Sequence, residues 1–209
     1  MKLKKITAVG LALCIFTTFF GDITNIYAEK KDNSKTSGCE LIESVEKGTK
    51  QNEEFVQNIA LKEGLDLDSE NIDIEYFSNG TVSITEKVDD KNAIVYTSLS
   101  DKETEQMSNN PESKSLVGTS ILWALVQIYN VVSTGGNILD YSCKVIELSG
   151  NGNPCSLITK SFLKSIGGKP AKVRVKKYFY KDNSCPYPPH SYQCNIAPYA
   201  YYKTYLSVA

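Results

Sequence analysis

Residues 115–139 read SLVGTSILWALVQIYNVVSTGGNIL and contain no Lys, Arg, Asp or Glu. In a 209-residue chain that is 22% charged, a gap of this length marks a segment that avoids water. On a wheel of about 100° per residue, Thr119, Ser120, Gln127, Asn130, Ser133 and Thr134 gather within roughly 140° of arc. Ile121, Leu122, Leu125, Ile128, Val131 and Val132 lie on the apolar remainder, and Leu116, Trp123 and Val126 fall inside the polar stripe. Gly135-Gly136-Asn137 follows as a helix stop. The segment is therefore expected to be an apolar helix over 116–132, placed in a core or a membrane. A surface helix of a soluble domain normally carries charge on its polar face, and this one has none. Its β-branched content leaves a strand open as well.

The flanks differ in charge. Residues 29–114 hold 10 Lys and 20 acidic residues, net −10; residues 115–209 hold 10 Lys and Arg and 3 acidic residues, net +7. A basic half seeks phosphate, anionic lipid or anionic cell-wall polymer, and an acidic half in the same chain can shield it. The expected partners are thus an anionic membrane or cell-wall polymer, with the acidic half as an intramolecular partner.

The N-terminus has the three parts of a secretory signal peptide. Lys2, Lys4 and Lys5 are basic, Ile6–Phe20 is apolar, and Ile26-Tyr27-Ala28 ends on a small residue. The apolar run is short for a span of about 20 residues, so removal of 1–28 and export are expected. The lysine- and asparagine-rich style points to a bacterial source. Export also weighs against a nucleic-acid partner, although the basic strand with its aromatic end (Tyr178, Phe179, Tyr180) has the composition of one.

In an exported chain, cysteines read as a disulfide framework. Four of them, Cys143, Cys155, Cys185 and Cys194, follow the apolar segment. Pairing 143 with 155 and 185 with 194 closes two turn-rich loops, and Cys39 is left as the odd one. The spacings are too wide, and histidine too scarce, for a zinc site.

In chain order, 29–38 is expected to be a disordered leader. Residues 39–100 form an acidic α+β domain, a candidate pro-region. It opens with helical spacing over Cys39–Leu65 capped by Gly64, and three strands follow over 72–99. Asn79-Gly80 is read as a type I′ hairpin turn. Residues 101–114 (DKETEQMSNNPESK) form a polar linker open to proteolysis. Residues 115–209 form a basic, Cys- and Tyr-rich module: strands near 141–148, 171–181 and 199–208, with helical spacing over 155–166. The fold class expected is α+β, a small helix-plus-β-meander region followed by an apolar helix packed on a disulfide-bonded antiparallel β module.

Enzyme chemistry lacks its parts. The single histidine, His190, sits in a Pro-rich loop; no nucleophile elbow, P-loop, dinucleotide fingerprint or HExxH motif occurs. No catalytic residue, cofactor or metal ligand is assigned. Lys172, Arg174, Lys176 and Lys177 are the candidate anionic-surface contacts; the alternative for them is an edge strand whose lysines discourage pairing. Two functions are expected from this organisation, which is loosely similar to that of exported bacterial antimicrobial precursors. One is a precursor of a cationic, membrane-active, bacteriocin-like or toxin-like C-terminal module. The other is a secreted, non-enzymatic binding, adhesion or inhibitor protein in which 116–132 is only a core element.

Overall fold

A computed structural model describes residues 44–109, 120–181, 185–187, 192–195 and 199–209. The expected signal peptide and leader, Cys39, Leu116 and His190 lie outside the described residues. In chain order the elements are β1 (Ser44–Val45), α1 (Lys50–Glu63), β2 (Ile72–Phe77), β3 (Val82–Lys87), β4 (Asn92–Ser98) and α2 (Asp101–Asn109). Then follow β5 (Ser120–Thr134), β6 (Asn137–Gly150), a 3₁₀ turn (Pro154–Leu157), α3 (Lys160–Ser165), β7 (Ala171–Lys181), a second 3₁₀ turn (Tyr192–Asn195) and β8 (Ala200–Val208). The strands make one antiparallel sheet in the order β1-β2-β3-β4-β8-β7-β5-β6.

The apolar segment is a strand, not a helix. Leu122, Ala124, Val126 and Ile128 are buried on one face of β5, while Trp123, Leu125, Gln127 and Tyr129 are half-buried on the other. The strand pairs with β7 on one side and β6 on the other. A strand with neighbours on both edges and apolar side chains on both faces reads as a continuous apolar run, which a helical wheel then sorts into a false stripe. The side chains favour this outcome: Ile, Val, Trp and Tyr fit a pleated surface and lose rotamer freedom in a helix. Gly135-Gly136 is a hairpin turn between β5 and β6, with φ of 58° and 84° at its two central residues. That pair of positive angles is what a two-residue primed turn requires. Among the described residues no helix is long and apolar enough to cross a membrane.

Three further expectations change. The Asn79-Gly80 turn is not type I′. Only Gly80 has positive φ, Gly80 N–H donates to Phe77 O, and Phe77 N–H donates to Thr81 O, so the loop has three residues. The polar stretch 101–114 holds helix α2 at 101–109, whose start is a capping box: Ser100 N–H and Oγ both donate to Glu103 Oε2, and Glu103 N–H returns to Ser100 Oγ. The helical spacing over 39–65 resolves into β1 and α1. Thr49 caps α1 by accepting from Asn52 N–H, and Gly64 ends it in the left-handed region. Asn52 Nδ2 also donates to Gly80 O at 2.9 Å, so the cap anchors the β2–β3 loop.

Each sheet face carries a core. On one face, Leu122, Ala124, Val126 and Ile128 meet Val173, Val175 and Leu206, closed over by Cys155, Ile158, Phe162 and Leu163 from the 154–165 segment. On the other, Phe55, Val56 and Ile59 of α1 pack on Val82, Ile84, Tyr96 and Tyr201. Full burial of a side chain such as Phe55 or Ile59 contributes about 1.5–3 kcal/mol. The two expected disulfides are present, Cys143–Cys155 with Cα atoms 5.9 Å apart and Cys185–Cys194 at 5.7 Å. Both suit an oxidising compartment.

Candidate functional site

Strand β7 alternates Val173, Val175 with Lys172, Arg174, Lys176, so period 2 alone puts the valines into a core and the cations on the opposite face. It is an interior strand between β8 and β5, which removes the edge-strand account of its lysines. Lys172, Arg174 and Lys176 are exposed. Residues two apart on a strand repeat at about 6.6 Å, so the three make an evenly spaced row of positive charge.

Cross-strand register extends the row into a patch. Lys176 lies between Trp123 on β5 and Tyr205 on β8; Arg174 lies between Leu125 and Ser207; Lys172 opposes Gln127. Beyond β5, Gln127 pairs with Lys144 and Leu125 with Glu147 of β6, so the patch holds one acid against four cations in these rows. Tyr178 joins from the next position of β7, its ring centroid 5.8 Å from that of Tyr205 in an edge-to-face contact. Arg174, Lys176, Tyr178, Tyr180, Tyr205 and Ser207 line a shallow open depression here. Tyr205 is 37% exposed. Among the described residues α1 packs over β3 and β4, and no helix packs over these rows of β5 and β7.

The patch ends where Lys203 is neutralised. Its ammonium donates to Glu63 Oε2 at 2.7 Å, and Tyr201 Oη donates to Glu63 Oε1 at 2.7 Å. Burial pushes the Glu63 carboxyl up, but the bonds from Lys203 and Tyr201 outweigh it and hold the group below the usual carboxylate range. Lys203 is thereby committed to the fold, while Lys172, Arg174 and Lys176 project into solvent.

Lys177 does not belong with them. It faces the side of Val173 and Val175, half-buried, with its ammonium 3.6 Å from the centroid of the Tyr202 ring. Burial pushes this lysine down, opposed by the charge of Glu103. Tyr202 Oη donates to Glu103 Oε1 at 2.9 Å, which fixes the carboxylate near it. The three residues border a cavity of about 350 Å³ that Glu75 of β2 also lines.

No protein-family model matches this chain. Nor does any curated protein or solved structure.

Of the residues singled out in the sequence, the structure thus brings Lys172, Arg174 and Lys176 together with Trp123 and Leu125 on one face. Ile121, Leu122, Val126 and Ile128 instead support the sheet from β5, and Val131 and Val132 lie toward its distal end. Nothing in the sequence sends Glu75, Glu103 or Tyr202 to a cavity: Glu75 and Tyr202 sit in strands and Glu103 in the first turn of α2, where an acid or a tyrosine is equally at home facing water.

Proposed function

We propose that this chain is a secreted, extracellular, non-enzymatic binding protein of bacterial origin. The sheet face that carries Lys172, Arg174 and Lys176 docks on an anionic polymer of the cell envelope. The single observation that carries this reading is the row Lys172, Arg174, Lys176, flanked on one face by Trp123, Tyr178 and Tyr205. Guanidinium and ammonium groups pair with phosphate or carboxylate, and flat aromatic rings stack on sugar rings between them. A strand held by neighbours on both edges presents these groups in fixed positions, so little ordering entropy is lost when a polymer docks. Export is supported by the N-terminal signal pattern and by the two disulfides.

A second reading, the precursor of a membrane-active module freed by cleavage in 101–114, draws on the charge division of −10 against +7. Two features weigh against it. The segment meant to enter the bilayer is a paired strand, and β8 of the basic half pairs with β4 of the acidic half from Asn92↔Ser207 to Ser98↔Tyr201. Separating the halves would uncover that edge.

The test is co-sedimentation of the full mature chain with a purified anionic cell-wall polymer, alongside the same polymer stripped of its charged groups and anionic vesicles. Binding to the charged polymer that weakens with salt, and drops more than tenfold in K172E/R174E/K176E, is expected. Equal binding by that variant, or no binding by the wild type, would overturn the reading; dye release from the vesicles would favour the precursor.

A further inference from the structure

On the face opposite the basic patch, the cavity of about 350 Å³ is walled by β2, β3, β4 and β7 and roofed by residues 156–160. Its volume lies within the range of small-molecule sites. The wall is mainly apolar, from Phe77, Val95, Leu139, Leu157 and Ile158, with hydroxyls such as Ser83 and Thr97, which bond each other at 3.0 Å. The roof is firmly held. Cys155 is bonded to Cys143 on β6, and Tyr141 Oη lies 2.8 Å from the carbonyl oxygens of both Cys155 and Ile158, which share its one hydroxyl hydrogen.

Four charged side chains line this space: Glu75, Glu103, Lys160 and Lys177. Three are accounted for. Lys177 rests on the Tyr202 ring and faces the charge of Glu103. Glu103 accepts from Tyr202 and from Ser100. Lys160 opens α3 and stays partly in solvent. Glu75 is the exception: its Oε2 is shut off from solvent and has no hydrogen-bond partner. Burial, reinforced by Asp73, pushes its carboxyl up to about 7, against a weaker pull from Lys160 and Lys164 of α3. A buried carboxylate with an unanswered charge is costly unless a cation meets it.

We propose that this cavity is a binding site for a small organic amine with an apolar body, whose ammonium pairs with the Glu75 carboxylate. The apolar walls take the body of such a ligand. Glu103 and Lys177 already answer each other and Lys160 stays partly in solvent, so among the charged groups of the cavity Glu75 is the one with a buried oxygen that no donor meets. A neutral or anionic molecule of the same shape lacks the group that Glu75 requires. This site stands apart from the basic patch, which lies on the opposite face of β7, so either can fail without the other.

Isothermal titration calorimetry of the mature chain with 2-phenylethylamine, 2-phenylethanol and phenylacetate tests it. At pH 8 the amine is expected to bind at least tenfold more tightly than the alcohol or the acid. Its affinity is expected to fall about tenfold between pH 8 and pH 6, as Glu75 takes up its proton. Glu75→Gln is expected to abolish the preference, with Glu75→Asp keeping part of it. The wild-type pH series stands without either variant. Tighter binding of phenylacetate, an amine affinity that does not change with pH, absence of amine binding, or an unchanged preference in Glu75→Gln would overturn the proposal.

Discussion

Lys203 Nζ on β8 lies 2.7 Å from Glu63 Oε2 at the end of α1, a bond across 140 residues of chain. Both side chains are largely buried, at 15% and 18% exposure, so removing one strands the other. Glu63→Gln is expected to destabilise the fold by about 1–3 kcal/mol at pH 7. The folded pKa of Glu63 is lowered, so its contribution is present above the unfolded value near 4.3 and is lost as pH falls through the folded one. For Lys203, burial pushes the ammonium down but the Glu63 bond outweighs it, so the pKa is raised. Its contribution is therefore lost only as pH rises beyond about 10.4. Urea unfolding of wild type and variant should differ at pH 7 and converge toward pH 3; an equal difference at both would contradict the pairing.

Glu75 runs in the opposite direction. Its carboxyl is raised from 4.5 to about 7, so the folded state binds the proton more tightly than the unfolded one. Stability is then highest below the unfolded pKa and falls as pH rises between the two values, by up to about 3 kcal/mol. Glu75→Gln is expected to be more stable than wild type at pH 8, with the advantage gone near pH 4.5. Melting temperatures across that range decide it, and a variant less stable than wild type at pH 8 would refute the assignment.

The Cys143–Cys155 bond closes a short loop that ties the cavity roof to β6. Replacing both cysteines with serine is expected to cost about 2–4 kcal/mol. Because Phe162 and Leu163 lie just beyond Cys155 in the core over β5 and β7, the loss should also appear as faster amide exchange in β5. Unchanged exchange in 122–128 would show that the roof is held without the disulfide.

The legible parts of the chain were those with short-range chemistry. Ile72, Ile74 and Tyr76 alternate cleanly because β2 has one core face, and the two cysteine pairs flank short turn-rich loops. The β5 segment misled because both its faces are apolar, which erases the period-2 signal that separates strand from helix. Gly135-Gly136 ends a helix as readily as it turns a hairpin, so it could not arbitrate. Helix α2 was hidden by its composition: only the Ser100–Glu103 spacing marks it, since its residues carry no apolar period. Lys177 continues the alternation of Val173 and Val175, so its inward direction was available in the sequence. Glu75 was not, because an acid between Ile74 and Tyr76 looks the same whether it faces water or a cavity.

Lysine footprinting tests the central claim that the face carrying Trp123, Arg174 and Lys176 is the docking surface. The full chain would be acetylated with and without a saturating anionic cell-wall polymer, and each lysine quantified by mass spectrometry. Protection of Lys144, Lys172 and Lys176 is expected, with Lys87, Lys91 and Lys164 unchanged. Protection confined to the latter three, or none at any lysine, would contradict the account.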